Sequence, residues 1–255
     1  MPELIKTKRV DSTNALSGDL DPYFITVRKL EALCGALGMR IVSNVEELNP
    51  DSTVIFASPH DNYNEPKELK EILLQKLNSC DKKVILGLEF FSDKYFEDLL
   101  NDPKRNLNDE HFNKIISFMT YGKTVSGLVK AFNEIQKEYP RERFEIKPFD
   151  LGFKEAVLPL KHAEETGDKE EVKEYYKSRN AKIVEKILDL LKIYGGDDNL
   201  VVYTGTFHIV DLLTKLKEII ESGNKDGIKI NNIVVFLTPE DLATLGSVES
   251  LPEPI

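Results

Sequence analysis

The chain has 255 residues, 41% of them apolar and 31% charged, with a formal net charge of −10. That length is enough to bury a full hydrophobic core, while the acidic balance argues against a general nucleic-acid binder, which needs a cationic face. No apolar run approaches the roughly 18–20 residues of a membrane span, and the first twenty residues lack the apolar centre of a signal peptide. Cys34 and Cys80 stand alone, so neither a disulfide framework nor a paired-cysteine metal site is indicated. The expectation is a cytoplasmic protein with no membrane span and no nucleic-acid partner.

Residues 1–20 are polar and irregular and read as a flexible arm. Asp21-Pro22 opens a helix on which Phe24, Val27, Leu30, Leu33, Cys34 and Leu37 recur at helical spacing, with Gly38 closing it. A short strand over 39–43 and a helical turn over 45–48 follow. Asn49-Pro50-Asp51 then turns into a strand over 53–56 that runs on into Ala57-Ser58-Pro59-His60. A helix over 66–78 has Leu69, Ile72, Leu73 and Leu77 as its inner face, and the apolar run 83–88 is a buried strand that delivers Glu89.

Helix-forming sequence fills 92–139, broken at Asn101-Asp102-Pro103 and near Gly122. The stretch 144–149 reads as a strand ending in Asp150, and 154–194 as a long charged helical region interrupted at Thr166-Gly167-Asp168. Another buried strand, 200–204, ends in Gly205-Thr206-Phe207-His208, with a helix over 210–222 behind it. A last strand over 228–237 and a proline-rich tail over 247–255 complete the chain. Alternating strands and helices predict an α/β fold: a mainly parallel central sheet with helices on both faces. One domain is expected over 21–246, with helical inserts at about 92–139 and 154–194 capping the carboxyl ends of the strands.

Four successive strands finish in a residue that can bind metal or move a proton: His60, Glu89, Asp150 and His208. In a parallel sheet the carboxyl ends share one edge, where open α/β folds place their chemistry. Two histidines and a carboxylate can hold a divalent cation with one position open for water. In a metal-free arrangement, a histidine held by Asp150 or Glu89 can act as a general base. Plainer roles exist for each: Glu89 meeting a lysine, Asp150 capping the next helix. His111 and His162 lie on charged helical stretches and read as surface residues. The pairs Phe90-Phe91 and Tyr175-Tyr176 read as core rather than pocket lining, and the Glu/Lys run over 161–177 as a solvated helix face.

The order of these blocks resembles the superfamily that groups erythromycin-esterase-like proteins, ChaN-like proteins, the TraB family and the Tiki metalloproteases. The matching segments are PHDN at 59–62, LGLEFF at 86–91, PFDLGF at 148–153, SRNAKIVEKI at 178–187 and GTFH at 205–208, spread over about 53–216. The first departs from the family pattern, with Ala57-Ser58 where relatives carry Gly-Glu. The resemblance implies that His60, Glu89 and His208 take the catalytic or metal-binding places and that Asp150 is a supporting carboxylate. Arg179, a permanent cation beside Asn180, would pair with Glu89 or Asp150 or hold a substrate carboxylate or oxyanion.

The function expected is a hydrolase of ester or peptide bonds acting on a small-molecule or peptide substrate, using a divalent metal such as manganese, cobalt or zinc. A ChaN-like haem or iron binder, with His60 or Tyr63 as haem ligand, is the alternative. A third reading is a family member that has lost activity and serves as an interaction module.

Overall fold

The computed structural model describes residues 27–58, 65–79, 81–106, 109–118, 122–195, 199–223 and 228–248. The expected N-terminal arm, His60 with Asp61 and Tyr63, Cys80 and residues 249–255 lie outside them. The elements in order are helix α1 (Val27–Ala36), strand β1 (Arg40–Val42), a 3-10 turn (Val45–Glu47), β2 (Thr53–Ser58), α2 (Glu65–Ser79), β3 (Val84–Phe91), α3 (Lys94–Leu100), α4 (Pro103–Asn106), α5 (Glu110–Phe118) and α6 (Gly122–Glu138). There follow β4 (Phe144–Asp150), α7 (Phe153–Thr166), α8 (Lys169–Tyr194), β5 (Leu200–Gly205), α9 (Thr206–Glu221), a second 3-10 turn (Ile230–Asn232), β6 (Ile233–Phe236) and α10 (Pro239–Val248). No helix among the described residues is long and apolar enough to cross a membrane.

The strands form one parallel sheet in the order β1-β6-β2-β5-β3-β4. The fold is therefore α/β, as the alternation of strand and helix patterns predicts. β2 and β5 are buried at all six of their positions, so their sequences run apolar or small without alternating. β4 is an edge strand, where Pro148, lacking an N–H, is tolerated.

Consecutive strand residues face opposite layers. Val54, Phe56, Leu86, Tyr203 and Phe236 join the core that includes Leu69 and Leu73 of α2, Phe96 of α3, Phe112 of α5 and Phe132 of α6. Ile55, Ile85, Val202 and Val235 join the opposite core with Leu30 of α1, Ile187 and Leu191 of α8, and Leu212 and Leu213 of α9. Burying each of these side chains contributes roughly 1.5–3 kcal/mol. Cys34 belongs to the second core; burial pushes its thiol up to about 11, which keeps it an apolar filler rather than a nucleophile.

The helix after β2 covers one face of the sheet and the helix after β5 covers the other. These two strands are neighbours, with Ser58 paired to Gly205 at their ends. Neighbouring strands whose following helices cover opposite faces mark the switch point at which such sheets bind ligands.

Helix α8 has 26 residues, about 39 Å of length, while a six-residue strand such as β5 spans only about 20 Å. Ile183, Val184, Ile187, Leu188, Leu190 and Leu191 bury the later half against the sheet. No described residue of 170–182 is buried, so the earlier half stands beyond the strand ends. It runs there beside α7, with the Tyr175 hydroxyl donating to the Ala156 carbonyl at 2.6 Å. Gly167, at φ 68°, turns the chain between the two helices. The Asp168 side chain then caps α8 by accepting from the N–H groups of Glu170 and Glu171. At the other end of α8, a Cβ on Gly87 of β3 would lie 2.7 Å from Leu190 Cδ1, so a side chain there would require the leucine methyl to shift.

Several element boundaries differ from expectation. β2 continues to Ser58 and β3 to Phe91, so Glu89 lies inside a strand, next to a register shift between Leu88 and Phe91. Helix α9 starts at Thr206, which puts His208 in its first turn instead of on a loop. The expected strand over 228–237 divides into a 3-10 turn and β6, because Asn232 Nδ2 donates to the Asp51 carbonyl at 2.7 Å and holds the chain in a turn. Helix α10 occupies a stretch for which no element was expected and reaches Val248, two residues into the expected tail.

Candidate functional site

Glu89 projects from β3 towards β5, and the Glu89 side chain is only 7% exposed. Its Oε2 accepts from Thr204 Oγ1 at 2.8 Å and from the Gly205 N–H at 2.6 Å. The second of these lies at the N-terminus of α9, where the helix dipole favours a negative charge. Its Oε1 faces His208 Nε2 at 3.1 Å and Arg179 Nη2 at 3.4 Å. One carboxylate thus joins two strands and two helices.

His208 is held from both sides. Its Nδ1 lies against Asn180 Oδ1, and Asn180 Nδ2 donates in turn to the Asp211 carboxylate. A carboxylate accepts only, so the Asn180 amide presents its oxygen to the imidazole, and the Nδ1 nitrogen carries a proton. Nε2 is then the nitrogen left to face Glu89. In a neutral ring it is an acceptor opposite another acceptor, an arrangement that requires a proton or a cation between them.

Arg179, on α8, grips Asp150 at the end of β4 with two parallel bonds, Nε to Oδ1 at 3.2 Å and Nη2 to Oδ2 at 2.6 Å. Burial works against the guanidinium charge, but the bond to Asp150 and the nearby Glu89 raise its pKa above the ordinary arginine value. Among the described residues its Nη1 has no hydrogen-bond partner, and the side chain is 23% exposed. Asp150 is further fixed through its carbonyl, which accepts from Lys186 Nζ at 2.7 Å. It does not cap α7; the Phe153 N–H donates to Asp93 Oδ2 instead.

Glu89, Asp150, Arg179 and His208 therefore come together at the carboxyl edge of the sheet, and His60 lies outside the described residues. His111 and His162 are exposed, as expected. Phe90 and Phe91 stack edge-on at 5.4 Å, Phe90 buried in the core and Phe91 partly buried against it. A cavity of about 540 Å³ lies along the same edge, lined among others by Ser43, Lys67, Glu68, Glu71, Phe236 and Pro239 and by none of the four clustered residues.

No family, curated protein or solved structure matches this chain. Its site is read from its own geometry.

That geometry adds a residue that the sequence pattern did not single out. Glu65, at the start of α2, is fully buried, and its Oε2 accepts from Ser58 Oγ at 2.5 Å and from the Tyr203 hydroxyl at 2.5 Å. Burial, followed by the Glu65 carboxylate, pushes the Tyr203 phenol well above its ordinary pKa, so it remains a donor. A carboxylate therefore does reach the end of β2, from a helix and not from the strand.

The donors present fit a divalent cation as far as they go. Glu89 and His208 supply an oxygen and a nitrogen, and the other histidine nitrogen is fixed by a carbonyl, the usual support for a ligating imidazole. Among the described residues no group of three or more His, Cys, Asp and Glu side chains is placed to hold a metal. Any further protein ligand would have to come from outside the described residues, and His60 lies two positions after Ser58 in the sequence.

Proposed function

We propose that this chain is a hydrolase of ester or peptide bonds. It would act on a small-molecule or peptide substrate at the switch point between β2 and β5, with a divalent cation such as manganese, cobalt or zinc. The observation that carries this reading is the held imidazole: Asp211 orients Asn180, Asn180 selects the His208 tautomer, and Nε2 is aimed at the Glu89 carboxylate. The strand-end motifs and their resemblance to the erythromycin-esterase-like and ChaN-like superfamily support the same assignment.

In this reading Glu89 and His208 hold the cation, with His60 as the candidate third ligand. When bound, the cation supplies a water of lowered pKa. Where no cation lies between them, His208 Nε2 would instead take the proton of the attacking water, with Glu89 Oε1 stabilising the imidazolium. Arg179, held in place by Asp150, directs Nη1 at the oxygen that becomes negative as the carbonyl is attacked. The buried ends of β2 and β5 keep bulk water from the Glu89–His208 pair.

The test combines metal analysis by mass spectrometry on protein purified without chelator with turnover on a panel of esters and peptides. His208→Ala and Glu89→Gln are expected to lose about 10²–10⁴-fold in rate and to release the metal. Full turnover in either variant, or no turnover by metal-loaded wild type, would remove the assignment. Turnover by metal-free wild type would place a proton, not a cation, between His208 and Glu89.

A further inference from the structure

Two exposed aromatic side chains stand next to this site, and nothing in the mechanism uses them. Phe207 is 59% exposed and Tyr176 is 45% exposed. Phe207 directly precedes His208 in the first turn of α9. Tyr176 precedes Arg179 by three residues and Asn180 by four on α8, so it stands one turn from both on the same helix face.

The seam between the two helices gives their relation. Asn180 bonds Asp211 across it. Tyr176 lies four residues before Asn180, and Phe207 lies four residues before Asp211. Residues four apart share a helix face, so each aromatic is one turn from this contact, towards the N-terminal end of its helix. The N-terminal half of α8 extends past the sheet, and α9 begins at the sheet's carboxyl edge, so both rings sit beyond that edge on the side of the α8–α9 seam. Tyr176 is also braced: it meets Tyr175 edge-on at 5.4 Å, and the Tyr175 hydroxyl is tied to α7.

We infer that Phe207 and Tyr176 form an apolar lip on the site and that its substrate carries an aromatic acyl group, lying on this lip with its carbonyl end towards Arg179. This rests on the hydrolase reading above and specifies its substrate class. An exposed aromatic pair in an otherwise charged neighbourhood offers flat apolar surface for a ring. Arg179, one turn further along α8, keeps Nη1 as a donor for a carbonyl or carboxylate oxygen.

The probe is 4-phenylbutyrate compared with acetate, titrated calorimetrically into the full chain. Wild type is expected to bind phenylbutyrate at least about tenfold more tightly than acetate. Phe207→Ser and Tyr176→Ser should each reduce that ratio severalfold, while Tyr176→Phe keeps it. Both positions are exposed, and thermal melts check that the variants remain folded. A wild-type ratio near one, no phenylbutyrate binding, or a ratio unchanged in both serine variants overturns the inference. Ester turnover on the same preparations answers the other question. Loss of turnover with the ratio intact removes the hydrolase reading and leaves the lip, whereas turnover with a ratio near one removes only the lip.

Discussion

Tyr203 and Thr204 are consecutive residues of β5, yet their hydroxyls donate to two different carboxylates on opposite faces of the sheet, Glu65 and Glu89. The alternation of a strand makes this possible. The end of β5 is thereby fastened to α2 on one side and to β3 on the other, immediately before Gly205 and the helix that carries His208.

The first prediction concerns the Glu65 side of that arrangement. Tyr203→Phe removes one donor from a fully buried carboxylate and is expected to cost about 1–3 kcal/mol. Combined with Glu65→Leu, the loss should fall short of the sum of the two single changes by more than about 0.5 kcal/mol. Urea unfolding of the four proteins measures this; strict additivity would mean that the two groups do not support each other.

Asp211→Asn tests the control of the histidine. Asparagine can present either its oxygen or its NH₂ to Asn180, so the Asn180 amide is free to reverse and no longer selects the His208 tautomer. Activity is expected to fall about 10–100-fold with little change in melting temperature. Nitrogen NMR shifts of His208 should report a mixture of tautomers, and a single unchanged tautomer would rule the mechanism out.

Arg179→Ala leaves Asp150 and Glu89 without their shared cation, in a place where their side chains are 6% and 7% exposed. Stranding one partner of a buried pair typically costs about 3–5 kcal/mol. The partial exposure of Arg179 lowers the expectation to about 2–4 kcal/mol. Arg179→Lys should restore little, since an ammonium cannot make the two parallel bonds that the guanidinium makes. Chemical denaturation checks both variants.

Glu68 gives a pH-dependent prediction away from the cluster. Burial, followed by the carboxylates of Glu240 and Asp241, pushes Glu68 up to about 7 from an ordinary value of 4.5. Below pH 4.5 the group is protonated in both folded and unfolded chains, and its charge costs nothing. As the pH rises from 4.5 to 7 the unfolded chain ionises first, stability falls, and the loss persists above pH 7. Glu68→Gln should therefore be neutral near pH 4 and stabilising at pH 8. An equal effect at both values would show that the group does not titrate this way.

Part of this site was legible in the chain. Glu89 and Asp150 end or nearly end apolar strand patterns, and the parallel fold that those patterns imply puts such residues on one edge. For Arg179 the sequence left pairing with Glu89, pairing with Asp150 and holding a substrate oxyanion open, and in the structure it contacts both carboxylates. Glu65 was not legible, because in NEPKELKE it resembles any acidic residue in the first turn of a helix. Its burial depends on the phase of α2 against β2 and on a tyrosine 138 positions away. The start of α9 was misplaced for a related reason. Thr206 follows a glycine that offers no side-chain cap, and the acceptor at that terminus is Glu89, from a different strand.

By itself the sequence determined the α/β class and most of its strands and helices, since periodicity and turn chemistry are local properties. The tertiary structure alone decided the strand order, and with it which strand ends became neighbours. It also decided that Asn180 and Asp211 orient His208, and that one carboxylate lies on each side of β5. Those outcomes depend on which faces the crossover helices cover and on hydrogen bonds between residues far apart in the chain, and no local spacing encodes either.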